Sequence, residues 1–198
     1  MARKQKKKSQ LNNDLFYDVI TTSIGNIGIV WYIHKKNHPK FKRIFLPAQR
    51  SSQAKRIKNI FPSAKRAASK KIFNEIYCLK KLCDGETAYL PRKYFDVNNF
   101  TIFEKRILDI LCKIPHGKVL TYSELAHKAA TSSGARAVGN VLAKNPFPII
   151  FPCHRIICSD GSIGGFQEGT ELKRKLLKRE GVLFDNKEKL ILKTVHKG

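Results

Sequence analysis

Acidic residues are scarce in this chain. Across its 198 residues, 15 Asp and Glu stand against 39 Lys and Arg, a formal charge of +24. A compact chain this basic repels itself, which points to a polyanionic partner, either nucleic acid phosphates or an anionic membrane surface. Long apolar runs are also missing. None approaches the roughly 20 residues needed to span a bilayer, and Met1–Gln10 has no apolar segment behind its basic stretch, unlike a secretory signal. Membrane insertion is set aside on these grounds, and nucleic acid becomes the leading partner. The expected location is cytoplasmic and nucleoid-associated, or nuclear in a eukaryote. Cysteines are few and odd in number: Cys78, Cys83, Cys112, Cys153 and Cys158, with no CxxC pair. That excludes a disulfide scaffold and indicates free thiols in a reducing compartment. His34 and His38 could share a helical face and hold zinc, but unrelated thiols and exposed histidines are the preferred reading, so no metal is expected. No internal repeat is visible.

What is present divides in two. Residues 1–10 carry Arg3, Lys4, Lys6, Lys7 and Lys8, a basic arm that reads equally as a solvated tail or as a phosphate-binding or import segment. Residues 15–34 read as a hairpin, Tyr17–Thr22 and Ile27–Tyr32, turned at Gly25-Asn26. Arg43–Leu46 forms a third strand closed by Pro47. Residues 54–83 read as polar-basic helix with apolar Ile57, Ile60, Phe61, Ile72, Ile76 and Leu79. After Asp84-Gly85 and Pro91 the apolar pattern pauses, placing a boundary near residues 91–99. The expected domains are therefore 11–94, α/β with a small antiparallel sheet plus helix, and 95–198, mostly helical.

The second half is better patterned. Phe103, Ile107, Ile110, Leu111 and Ile114 follow helical spacing, and Pro115-His116-Gly117 stops that helix. Thr121-Tyr122-Ser123-Glu124 has the form of a capping box, opening a short helix that runs to about Thr131. Ser132 or Ser133 then caps a second helix to about Lys144, ended by Asn145-Pro146. Two short helices joined by a tight polar turn make a helix-turn-helix candidate. Pro148–Cys158 reads as extended, Gly161–Gly169 as a glycine-rich loop, and Thr170–Glu180 as a last helix with Gly181 beyond it.

Two segments could carry chemistry. In Gly134-Ala135-Arg136-Ala137-Val138-Gly139 the glycines cost roughly 1 kcal/mol each inside a helix. Either two helices pack tightly there, or the helix lies close against DNA with Arg136 reaching inward. Cys153 sits between Pro152 and His154-Arg155, where positive charge or a base could generate a thiolate nucleophile. An isolated Cys-His pair is more often an ordinary buried cysteine, and in a strand the two side chains would point to opposite faces. Contact between them requires a local turn or a bridging water.

Taken together the segments are far more specific. Ile114-Pro115-His116-Gly117-Lys118-Val119-Leu120-Thr121-Tyr122, Gly134–Gly139, Asn145-Pro146, Ile150-Phe151-Pro152-Cys153-His154-Arg155-Ile156-Ile157, Gly164-Gly165-Phe166 and Glu180-Gly181 closely resemble the O6-alkylguanine-DNA alkyltransferase family over residues 103–184, and more weakly over 15–90. The resemblance implies a single-use DNA-repair protein with a winged-helix-like DNA-binding part. It would flip an alkylated guanine out of double-stranded DNA and move the alkyl group from O6, with O4 of thymine as a second candidate substrate, to Cys153. It would work as a monomer without a cofactor. It further implies that His154 takes the thiol proton through a water, that Glu180 orients His154, and that Asn145 holds the turn before the cysteine. Tyr122 would press on the phosphate backbone and donate to the base, and Arg136 would fill the vacated stack. Ser123, Thr131, Gly134, Ala135, Gly139 and Ser159 complete the DNA-facing set, and the peptide groups of Cys153 and Ile156 would read the guanine edge. Arg155 would have a structural ion-pair role. Pro148, Ile156, Phe166, Gln167 and Glu168 are the expected alkyl pocket. Phe166 and Glu168 depart from the commonest pattern, tyrosine and a small residue, and so put bulk and charge at the pocket mouth. Two rivals remain: a reader of alkylated bases that does not repair them, in which the cysteine is replaced, and a cysteine hydrolase, which would turn over and leaves the Arg136 helix and the charge unexplained.

Overall fold

The computed structural model describes residues 14–34, 38–48, 51–130, 134–186 and 189–191. The basic arm, Thr131 and the two candidate caps Ser132 and Ser133 lie outside the described residues.

The first half is built on β1 (Leu15–Thr22), β2 (Gly25–His34) and β3 (His38–Phe45), paired antiparallel as the sequence suggests. The hairpin turn falls at Ser23-Ile24, so Gly25 opens β2 opposite Thr22. The third strand begins earlier than expected, because the alternation of apolar and basic residues from Pro39 to Phe45 presents one side to the core and one to water. His34 and His38 face one another across β2 and β3, not along a helix.

Residues 54–83 are not one helix. α1 (Gln53–Ile60) stops before Pro62, which cannot continue a helix. The chain then lays a two-residue strand, β4 (Lys65–Arg66), parallel to β1 before α2 (Phe73–Cys83). The sheet order is β3-β2-β1-β4, an antiparallel sheet with one short parallel edge. Both its faces are covered, which is why β2 is almost uniformly apolar. Val30 and Phe45 meet Ile57 of α1 on one side, while Ile27, Ile29 and Trp31 join Ile76 and Leu79 of α2 on the other. Gly28 lets α1 lie close on the sheet, since a Cβ there would stand 2.8 Å from Ile57 Cδ1 and that side chain would have to shift.

The second half carries α3 (Ile102–Lys113), β5 (Leu120–Thr121), α4 (Tyr122–Lys128), α5 (Gly134–Ala143), β6 (Ile156–Ile157) and α6 (Thr170–Arg179). Thr121 and Glu124 form the capping box read from the sequence, with both reciprocal bonds present. α4 ends at Lys128, earlier than expected, and Ala130 turns away at φ 48°. β5 and β6 pair in parallel, Leu120 to Ile156 and Thr121 to Ile157, which sets the start of α4 beside the cysteine segment.

One apolar core runs through both halves. Its centre is aromatic: Phe95 lies 5.7 Å from Phe41 of β3, 5.1 Å from Phe147 and 5.6 Å from Phe151. Fully burying such a ring is worth about 1.5–3 kcal/mol, so this cluster anchors the segment that leads to Cys153 onto the sheet.

Candidate active site around Cys153

Residues 148–158 are coiled rather than extended. Phe151 N–H donates to the Phe147 carbonyl at 3.0 Å, and Cys153–Arg155 forms a single 3-10 turn. Only Ile156–Ile157 is strand. The reason lies in the side chains: Phe147 and Phe151 both enter the aromatic core, so the backbone between them must fold back. Ile149 adopts φ 73°, a strained conformation for a β-branched residue.

Asn145 is buried inside this turn and uses both ends of its amide. Its Oδ1 accepts from Phe147 N–H at 3.0 Å, while Nδ2 donates to the Phe151 carbonyl at 2.9 Å and to Cys153 Sγ at 3.3 Å. The turn places His154 against the last turn of α6. His154 Nε2 lies 2.8 Å from Glu180 Oε1, and Arg155 donates to both oxygens of the same carboxylate at 2.8 Å and to the Ile114 carbonyl at 2.7 Å. Gly117 N–H adds a third donor residue at 3.3 Å. Gly117 has φ 71°, and a Cβ there would stand 2.7 Å from the Glu180 carbonyl oxygen, so glycine is required.

The electrostatics follow from burial against pairing. Burial alone would raise the Glu180 carboxyl, but the hydrogen bonds and charges of His154 and Arg155 outweigh it and hold Glu180 ionised far below the usual carboxylate range. Burial lowers His154 despite Glu180, so the ring is neutral. An ionised carboxylate at Nε2 fixes the proton on that nitrogen, which makes Nδ1 the ring's acceptor. Nδ1 is buried and has no protein partner. Burial also pushes the Cys153 thiol up to about 11, with Asn145 and Lys173 opposing the rise. The resting sulfur is therefore a thiol, in contrast to the charge-lowered thiolate considered from the sequence.

Cys153 opens onto a cavity of about 260 Å³ between α5 and the loop 165–168. Tyr122, Gly139, Asn145, Pro148, Phe166, Gln167 and Glu168 all line it, as do Leu142, Ala143 and Gly165, which sequence reasoning missed. Ile156 does not line it, because pairing with Leu120 turns its side chain into the core. Cys153 N–H and Ile156 N–H are already committed, to the Phe151 carbonyl at 2.7 Å and to the Cys153 carbonyl. What these peptides can offer a base is carbonyl lone pairs.

Along α5, Ala135 and Arg136 are exposed, and Arg136 has no ion pair among the described residues. Gly134 stands at the helix start with φ 64°, and Gly139 has open space where a Cβ would be. Ser123 and Ser159 meet at 2.8 Å on the surface.

A further buried group was also missed. Lys173 of α6 is fully buried, donating to the Ile156 carbonyl and, at 3.2 Å, to the Gly165 carbonyl, with its ammonium 5.8 Å from the Tyr122 ring centre. Burial lowers it to about 8. The signal was there: Lys173, Leu176 and Leu177 occupy one helical stripe, so a lysine stands in an apolar position. Among the described residues no cluster of three His, Cys, Asp or Glu could hold a metal ion, and no helix is long and apolar enough to cross a membrane.

The buried Cys153 thus lies beside the α4–α5 helix pair, and the comparisons with known proteins give the class: DNA methyltransferases. Residues 102–182 match the DNA-binding domain of 6-O-methylguanine DNA methyltransferase. The chain is 34% identical over 170 residues to the methylated-DNA--protein-cysteine methyltransferase of Methanosarcina barkeri, covering 84% of this chain and 97% of that one. It is 49% identical over 88 residues to the Candida glabrata protein of the same name, a match spanning 44% of this chain and 42% of the relative. The OGT of Mycobacterium tuberculosis, solved in complex with DNA, superposes with a TM-score of 0.65 at 26% identity, covering 83% of this chain and 92% of that one. The chain belongs to the methylated-DNA--protein-cysteine methyltransferase family.

Proposed function

We propose that this protein repairs double-stranded DNA by moving an alkyl group from guanine O6 to Cys153 Sγ, once per molecule, as a monomer. The observation that carries the reading is a buried thiol held by Asn145, with the neutral His154 paired to ionised Glu180 next to it in the same turn, opening on a cavity beside α5.

The damaged base enters that cavity. The thiol proton passes through a water to His154 Nδ1, and Glu180 stabilises the resulting imidazolium. The thiolate forms only as it attacks, which suits a sulfur whose burial disfavours standing charge. A bond forms from sulfur to the alkyl carbon and the carbon–O6 bond breaks. The outgoing guanine takes up a proton, with the Tyr122 hydroxyl as donor. Arg136, exposed on α5, fills the gap in the stack, and Ser123, Ser159, Gly134, Ala135 and Gly139 lie along the duplex. The thioether is stable, so no turnover follows. Residues 11–94 and 95–198 act as two domains, with the basic arm 1–10 as an added phosphate contact. The protein acts in the cytoplasm at the nucleoid, or in a nucleus.

Intact-mass analysis after mixing with O6-methylguanine duplex DNA tests this. One methyl per chain, mapped to Cys153, is expected. Catalytic turnover would sink the reading, as would an unmodified chain that merely binds the lesion.

A further inference from the structure

Glu168 stands in the wall of the Cys153 cavity, yet its partner comes from the other half of the chain. Its side chain is 6% exposed, and Oε1 pairs with Arg56 of α1 at 3.4 Å. Arg56 is itself fixed, donating to the Leu46 carbonyl at 2.6 Å and to Gln53 Oε1 at 3.1 Å. Burial raises the Glu168 carboxyl, and Arg56 together with Arg43 of β3 opposes that rise and favours the ionised form. Neither arginine lines the cavity. The Glu168 charge acts on the Cys153 thiol while neither arginine is among the charges that do, so an alkyl group bound beside Cys153 meets the carboxylate before the guanidinium.

We propose that Glu168, held in place by Arg56, is the specificity-determining residue of the alkyl pocket and selects neutral or cationic alkyl groups over anionic ones. The inference rests on the alkyl-transfer reading above and adds the chemical class of group transferred. A carboxylate fixed in a wall of low polarity acts on a second charge a few ångströms away far more strongly than it would in water. An alkyl group ending in a carboxylate is repelled, while one ending in an ammonium gains a partner. Methyl carries no charge of its own, so dividing by its rate removes whatever effect Glu168 has on the Cys153 thiol itself.

The test uses single-turnover rates on one duplex carrying O6-methyl-, O6-carboxymethyl- or O6-(2-aminoethyl)guanine, with each rate divided by the methyl rate of the same protein. Glu168→Gln keeps the shape and removes the charge. It should raise the carboxymethyl ratio about tenfold and lower the aminoethyl ratio by a similar factor. Glu168→Ala, which also removes the bond to Arg56, should move both ratios in the same two directions. Unchanged ratios in both variants overturn the proposal, and so does a shift of both ratios the same way, which would mean that Glu168 acts by bulk. The parent reading fails differently: the unaltered protein would then transfer no group from any of the three substrates, and both ideas would fall together.

Discussion

His154 presents Nε2 to Glu180 Oε1 at 2.8 Å, and this one contact decides which nitrogen of the ring can receive a proton. In Glu180→Gln the charge that stabilises an imidazolium is lost, so transfer should depend on the thiol ionising by itself. The unaltered protein should show a rate that is flat through neutral pH and falls in acid as His154 charges. Because burial lowers His154, that fall should lie below the ordinary histidine range. The variant should be slow at neutral pH and gain about tenfold per pH unit toward the thiol value near 11. Parallel profiles for the two proteins would remove His154 and Glu180 from the reaction.

Glu180→Gln should also cost stability. The buried Arg155 guanidinium keeps one neutral amide oxygen in place of two carboxylate oxygens, and breaking a buried ion pair costs about 3–5 kcal/mol. The sign with pH follows from the folded value being depressed. The contribution of Glu180 is present above the ordinary glutamate value and is lost as pH falls through the lower folded one. Urea unfolding at neutral and acid pH should therefore show the variant's deficit shrinking in acid. A constant deficit would mean that Glu180 supports the fold through packing alone.

Cys153→Ser should bind duplex DNA and accept no alkyl group, because a hydroxyl is a far weaker nucleophile at neutral pH. Cys158→Ser should transfer at nearly the unaltered rate. Peptide mapping that places the alkyl group on Cys158 would reverse the assignment.

Phe95 ties β3 to the cysteine turn through Phe41, Phe147 and Phe151. Phe95→Ala should destabilise by about 3–5 kcal/mol, read as a lower urea midpoint at constant slope. Transfer should slow as well, since Phe151 supplies the carbonyl that holds Asn145. A loss of stability with no change in rate would show that the turn is held by its own hydrogen bonds.

How much of this was legible depended on how local each signal was. The Thr121–Glu124 capping box and the β1–β2 hairpin rest on residues close in sequence, and both were readable in kind. Pro62 was an equally local signal for the break between α1 and α2, outweighed by the apolar spacing on either side of it. The coiling of 148–158 was hidden because its apolar residues serve an aromatic core whose other members, Phe41 and Phe95, lie far away in sequence. The Arg56–Glu168 pair spans 112 residues, and no spacing rule reaches that far. Glu168 was read at the pocket mouth, but its tether to the first half was invisible.

Arg136 offers the sharpest separation between reading DNA and supporting the fold. It is exposed on α5, unpaired among the described residues, and flanked by Ala135 and Ala137, which allow a duplex to come close. If it occupies the place of the flipped base, its contacts offset part of the few kcal/mol that unstacking costs. Arg136→Ala should then slow repair of duplex DNA by about 10- to 100-fold. Reaction with the free modified base should change little, because no stack has to open. A simple phosphate contact behaves differently: its loss weakens binding to all DNA and makes the salt dependence shallower by about one contact. The quantity to measure is the duplex rate over the free-base rate at saturating DNA, for both proteins. A ratio that stays constant while both rates fall would place Arg136 in support of the thiol site and end its role in base flipping.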